Sequence, residues 1–156
     1  MVDELKRRLA ALRGVAPRLN TVADEMNRLV EQVEKTLVDE GINVSATTAH
    51  WFSSERHREE QVEECLAFGR VRGAYGIHVL RRTFRERDNL GIFTHLVDSV
   101  RIPWSECDRE TRFQAFKLLP QLLDRIMSQA EELVKNADEA TAKVREMISG
   151  DESAAP

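Results

Sequence analysis

Residues 66–79 read LAFGRVRGAYGIHV, and this stretch decides the fold class. Leu66 and Phe68 lead into Arg72-Gly73, and Tyr75, Ile77 and Val79 lead away from it. Alternation is the period of a strand, because successive side chains point to opposite faces. Two alternating runs about a two-residue turn with glycine second predict an antiparallel hairpin, although Arg-Gly is a weaker turn signal than Asn-Gly. Upstream, Ile42, Val44 and Ala46 alternate with Asn43, Ser45 and Thr47, and Trp51 and Phe52 follow. Downstream, Ile92, Thr94 and Leu96 alternate with Phe93, His95 and Val97 in a strand expected to end before Pro103. Residues 53–63 are polar and charged and read as a loop, and 85–91 read as a turn. Four strands in an antiparallel meander are the expectation.

The period changes on both sides of the meander. Stepping by threes and fours from the start meets Val2, Leu5, Leu9, Leu12, Ala16, Leu19, Ala23, Met26, Val30, Val33 and Leu37, all apolar. At 42% hydrophobic content such a run arises by chance roughly once in ten thousand tries, so the period is helical. Gly41 stands where a helix C′ residue belongs. Pro17 deletes one backbone bond inside the segment, and a kink is expected there. The same steps recur in Phe113, Phe116, Pro120, Leu123, Met127, Ala130, Val134, Ala137, Thr141, Val144 and Ile148. Ser105 reads as the N-cap of this second helix, Pro120 as a kink and Gly150 as its end.

Each seam covers about 54 Å of helix at 1.5 Å per residue. Matched length suggests that the helices pair. Charge favours antiparallel pairing, because residues 1–18 carry a balance of +3 and residues 128–156 a balance of −4. Val2–Leu12 should then meet Ala137–Ile148, either within one chain or swapped between two copies. The expected architecture is α+β in the order α-β-β-β-β-α: two long antiparallel amphipathic helices flank a small four-stranded antiparallel meander. One domain spans 1–150, and 151–156 form a tail. Phe113, Phe116, Leu119, Leu122, Leu123 and Ile126 should touch both the sheet and the first helix, with Leu123→Ala costing about 2–5 kcal/mol.

Composition bounds the function. A net charge of −4 provides no global attraction to nucleic acid or anionic lipid. No apolar run approaches the length of a membrane span. No signal-peptide pattern opens the chain, so a soluble, cytoplasmic, disulfide-free protein without a membrane partner is expected.

Chemistry-bearing residues are sparse. His50, His57, His78 and His95 have no metal-ligand spacing, and Cys65 and Cys107 do not supply one. Ordinary strand histidines are expected, with no metal and no cofactor. Ser53 and Ser54 lie near His50 and His57, but no nucleophile elbow is present. Cys107 reads as part of a first helical turn, where a thiolate is stabilised, yet a thiol without a role is the simpler reading. The pairs Glu59–Glu60 and Glu63–Glu64 read as a solvated face rather than an acid/base pair.

The hairpin arginines are the most suggestive group. Arg70, Arg72, Arg81, Arg82, Arg85 and Arg87 stand against Glu86 and Asp88, interleaved with Phe68, Tyr75 and Phe84. Such a mixture can hold single-stranded nucleic acid by phosphate contacts and stacking. The candidate contacts are Arg70, Arg72, Arg81, Arg82 and Tyr75. Residues 72–79 are similar to the RNA-recognition octamer, but Ala74 stands where an aromatic belongs. Alternation puts Arg81 on the Tyr75, Ile77 and Val79 side of its strand and Arg82 on the other, which predicts no single basic face.

Four stretches carry a wider resemblance: Asp24-Glu25-Met26-Asn27, Gly41-Ile42-Asn43-Val44-Ser45-Ala46, Gly73-Ala74-Tyr75-Gly76-Ile77, and Arg112 through Leu119-Pro120-Gln121-Leu122-Leu123. In these the chain resembles a group of small bacterial proteins of unassigned function. The resemblance implies a bacterial or mobile-element origin and carries no activity and no functional residue. No catalytic constellation is present, so a non-enzymatic interaction or scaffold protein is expected, with a protein partner or a second copy of itself in a homodimer. The alternative is a nucleic-acid-associated protein using the arginine-rich hairpin.

Overall fold

Arg72 and Gly73 both have positive φ, 50° and 87°, and join β2 (Glu60–Val71) to β3 (Ala74–Glu86) as a two-residue turn of the primed kind. Val71 pairs with Ala74 next to the turn, and Phe68 pairs with Ile77 and Leu66 with Val79, so these last four core side chains of the hairpin share one face. β1 (Ala46–Phe52) adds to β2 and β4 (Phe93–Pro103) adds to β3, giving one antiparallel sheet in the order β1-β2-β3-β4. The computed structural model describes residues 1–52, 60–86 and 91–152. The central parts of the expected loop and turn, the tail from residue 153 onward, His57, Ser53, Ser54 and Glu59 lie outside the described residues.

The sheet is longer than alternation of apolar residues indicated. Glu60, Gln61, Val62, Glu63 and Glu64, expected in a loop or solvated face, are strand residues opposite Arg85, Phe84, Thr83, Arg82 and Arg81. β4 likewise runs through Pro103 instead of stopping before it. β1 is interrupted by a bulge between Thr47 and His50. There the hydroxyl of buried Thr48 accepts from the Leu66 N–H at 3.1 Å, replacing a lost ladder bond.

α1 (Val2–Asp39) is one helix with Pro17 inside it. It ends in a Schellman arrangement: the Gly41 N–H donates to the Val38 carbonyl and the Ile42 N–H to the Leu37 carbonyl, with Gly41 at φ +71°. The second helical segment departs from expectation. Trp104–Glu106 form a short 3-10 turn, and the cap is Asp108, whose carboxylate accepts from the Thr111 N–H at 2.7 Å, rather than Ser105. α2 (Arg109–Phe116) and α3 (Leu119–Glu152) are separate helices, with Pro120 in the first turn of α3, where its missing N–H has no partner to lose. Gly150 does not end α3.

One core gathers Met26 and Val30 of α1, Leu66, Phe68, Ile77 and Val79 of the hairpin, Trp104, Ala115, and Leu119, Leu122 and Ile126 of α3. α1 lies against β3 and α2, and α3 against β1 and β2. Polar groups fasten these layers. Beyond His78, which pairs with Pro103, β3 has no β4 neighbour, and the Glu34 carboxylate of α1 accepts from the Ile77 N–H at 2.6 Å. A Cβ at Gly76 would sit 3.1 Å from the same carboxylate, so glycine clears its approach. The Gln121 side chain of α3 accepts from the Ala49 N–H of β1 at 2.7 Å.

Candidate docking surface

The apolar stripe of α1 enters the core and leaves it without a break. Its inner members Ala23, Met26 and Val30 are buried, and Val33 and Leu37 pack at the core margin. Its outer members Val2, Leu5, Leu9, Leu12 and Leu19 are between 41% and 65% exposed in the same phase. Val15 and Val22, one step to the side, are also exposed. Nothing in the sequence pattern marks where burial stops; the sheet simply does not reach farther.

α3 carries two apolar stripes, and the sheet takes the Leu119, Leu122 and Ile126 part of the expected wide face but not the seam row beside it. Leu119, Leu122 and Ile126 are buried, whereas the seam residues Leu123 and Met127 are 37% and 58% exposed. Phe113 and Phe116 are partly buried against the core, so the proposed face is correct there and displaced by one position farther on. Val134, Val144 and Ile148 are 53–63% exposed, as are the neighbours Leu133 and, more so, Met147. The expected contact of Val2–Leu12 with Ala137–Ile148 is therefore not made within this chain. The reason is geometric: each helix spends its inner half on the sheet, and the outer halves find no cover.

The hairpin arginines do not converge. Arg81 bonds Glu64 at 2.8 Å on the helix-facing side, and Arg82 approaches Glu63 at 3.6 Å on the opposite side. Arg85 pairs with Glu60 at 3.3 Å and Arg72 with Glu106 at 2.7 Å. Arg70 lies over the ring of Tyr75, whose hydroxyl donates to the Asn43 carbonyl, and Tyr75 is half-buried against Phe68. The acids of β2 thus neutralise the arginines of β3 across the ladder, in place of an open basic face.

The remaining chemistry-bearing residues stay apart. Among the described residues no group of three or more His, Cys, Asp or Glu is placed to hold a metal ion. His78 is buried, and desolvation holds its pKa below the usual histidine range, against a contact of Nδ1 with the Gly76 carbonyl. It floors a hollow of about 190 Å³ between the sheet and α3, rimmed by Arg101, Arg125 and Gln129. A second hollow of about 300 Å³ separates α1 from the hairpin tip and is walled by Glu31, Glu34, Tyr75 and Trp104. Cys65 and Cys107 are free and buried. Burial pushes the Cys107 thiol up to about 11, away from the thiolate that a first helical turn stabilises, because Cys107 precedes α2 and its sulfur turns to the carbonyls of Ile102 and Pro103.

One group escaped the sequence reading. Asn27 of α1 accepts from the Trp104 indole at 3.1 Å and from Arg112 at 3.2 Å, and Arg112 also donates to the carbonyls of Trp104 and Ser105. This clamp ties α1 to the 3-10 turn and α2. In sequence 85 residues part Asn27 from Arg112, and no local pattern announces their meeting.

Comparison of the chain with protein-family models, curated proteins and solved structures finds no match. Among the described residues, no helix is long and apolar enough to cross a membrane.

Proposed function

We propose that this is a non-enzymatic interaction or scaffold protein whose working surface is the outer apolar stripe of α1 and α3. A single observation carries this: the α1 stripe that builds the core inward of Ala23 continues in phase, uncovered, from Leu19 to Val2. Large apolar side chains in a continuous row, rather than scattered singly, mark a surface made to be covered. The spacing of threes and fours is that of a coiled-coil seam, so the complement is another amphipathic helix. The sheet serves as the rigid base that presents the two helices.

The pairing of Arg81, Arg82 and Arg85 with acids across the ladder, and of Arg72 with Glu106, supports this reading over the nucleic-acid one, since paired arginines release fewer counterions. The test is a photo-reactive amino acid at position 12, irradiated in the cells that make the protein. A discrete protein adduct is expected at position 12 and not at exposed position 98 on β4. Equal labelling at both, or none at position 12, overturns the proposal.

A further inference from the structure

We infer that the occupant of this surface is a second copy of the chain, with the outer half of α1 in one copy lying antiparallel on the outer half of α3 in the other. The inference rests on the preceding reading of the stripes as docking surfaces and adds the partner and the register.

The seam positions define heptads. On α1, Val2, Leu9 and Ala16 are a positions and Leu5, Leu12 and Leu19 are d positions. On α3, Met127, Val134 and Thr141 are a, and Ala130, Ala137 and Val144 are d. In an antiparallel pair a meets d, e flanks e, and g flanks g. The e positions of α1 are Lys6, Arg13 and Asn20, and those of α3 are Asp124, Glu131, Asp138 and, at the far end, Arg145. Pairing α1 with another α1 therefore sets cation against cation, and α3 with α3 sets Glu131 against Asp138 even where Asp124 meets Arg145. Only the α1–α3 pairing is complementary.

Charge and the residues beside the seam together choose the register. With Leu9 opposite Ala137 and Leu12 opposite Val134, Lys6 flanks Asp138 and Arg13 flanks Glu131. A shift of one heptad, Leu9 opposite Val144, instead places Lys6 beside Arg145, and the opposite shift, Leu9 opposite Ala130, keeps the charges matched but sets Val15 against Ile126, which the core already buries. In the favoured register the g positions bring Val15 to Leu133, and these side-row residues are both exposed in the single chain. The apolar residues beside the seam, without a role in the monomer, thus widen the contact.

The area suffices. The outer halves are each about 30 Å long and about 12 Å across, and a two-fold arrangement uses both in each copy. That is roughly 700 Å² of footprint per copy, near the ~800 Å² per partner of a stable interface.

The full-length protein tests this in three measurements. Sedimentation across a concentration series should show a reversible dimer. Chains carrying Leu9→Cys, mixed with chains carrying Ala137→Cys, should form a mixed disulfide dimer in mild oxidant, faster than Leu9→Cys mixed with Val144→Cys. Arg13→Glu should raise the dimer dissociation constant roughly tenfold or more, and Glu131→Arg in the same chain should restore it. Monomer at all concentrations, crosslinking only inside one chain carrying both cysteines, or a dimer indifferent to Arg13→Glu overturns the inference. A foreign protein adduct at position 12 from a monomeric chain overturns the second copy alone, whereas a monomer without any adduct overturns the docking surface as well.

Discussion

Arg81 and Glu64 stand directly opposite each other in the β2–β3 ladder, and the guanidinium Nε donates to a carboxylate that is almost wholly buried, at 2.8 Å. Removing the arginine leaves an acid in the interior without its counter-charge. Arg81→Ala should therefore cost about 2–3 kcal/mol, somewhat below the loss for a fully buried pair because Arg81 keeps a wet side. Arg82→Ala, which breaks the long contact to Glu63 and a 5.9 Å approach to the Phe84 ring, should cost under about 1 kcal/mol. Urea midpoints of the two variants decide it, and equal losses contradict the assignment.

Neighbouring leucines of α3 should behave very differently. Leu122 is fully buried and Leu123 is partly exposed. Leu122→Ala should cost about 2–5 kcal/mol and Leu123→Ala under about 1.5 kcal/mol. Thermal or denaturant unfolding of dilute protein separates them, and the reverse order would place Leu123 rather than Leu122 in the core.

Stability should fall in acid partly through His78. Burial lowers its pKa in the folded chain, whereas in the unfolded chain it takes a proton near pH 6.5. Below that pH the unfolded state binds more protons, so the contribution is complete above about 6.5 and is lost as pH falls through the lower folded value. His78→Gln should flatten the stability profile on the acid side of about pH 6.5. A profile parallel to the parent would exclude His78 as a source of the slope.

Both thiols should resist modification. Burial raises Cys65 and pushes Cys107 up to about 11, so neither offers thiolate or access near neutrality. A chromogenic disulfide reagent at about pH 8 should label both in denaturant and neither in the native protein beyond the rate of opening. A fast native phase would place one thiol at the surface.

The parts legible in sequence were those with a strict period and local chemistry. Arg72-Gly73 announced its turn, and Gly41 its helix end, because each depends on the φ of one or two residues. The far end of the β2–β3 ladder was hidden because Glu60–Glu64 and Arg81–Arg85 satisfy one another largely by charge, leaving no alternation of apolar residues to read. Ser105 and Asp108 both have the chemistry of a cap, and the burial of Trp104 in the core decides for the later one. In α3 the stripe Leu119, Leu122, Ile126 and the stripe Leu123, Met127, Val134 are equally apolar. Only the position of the sheet chooses between them, and that is a long-range fact.

The bond from the Ile77 N–H to Glu34 makes one proton a gauge. A strand amide is ordinarily freed by fraying of its own ladder, but this one is held from outside the sheet by a helix. Its rate of exchange with solvent therefore reads out how often α1 lifts from the hairpin, separately from the opening of Val79 or Leu66. A covering partner that pins α1 through its distant end would slow that single amide first, tens of ångströms from where the partner sits.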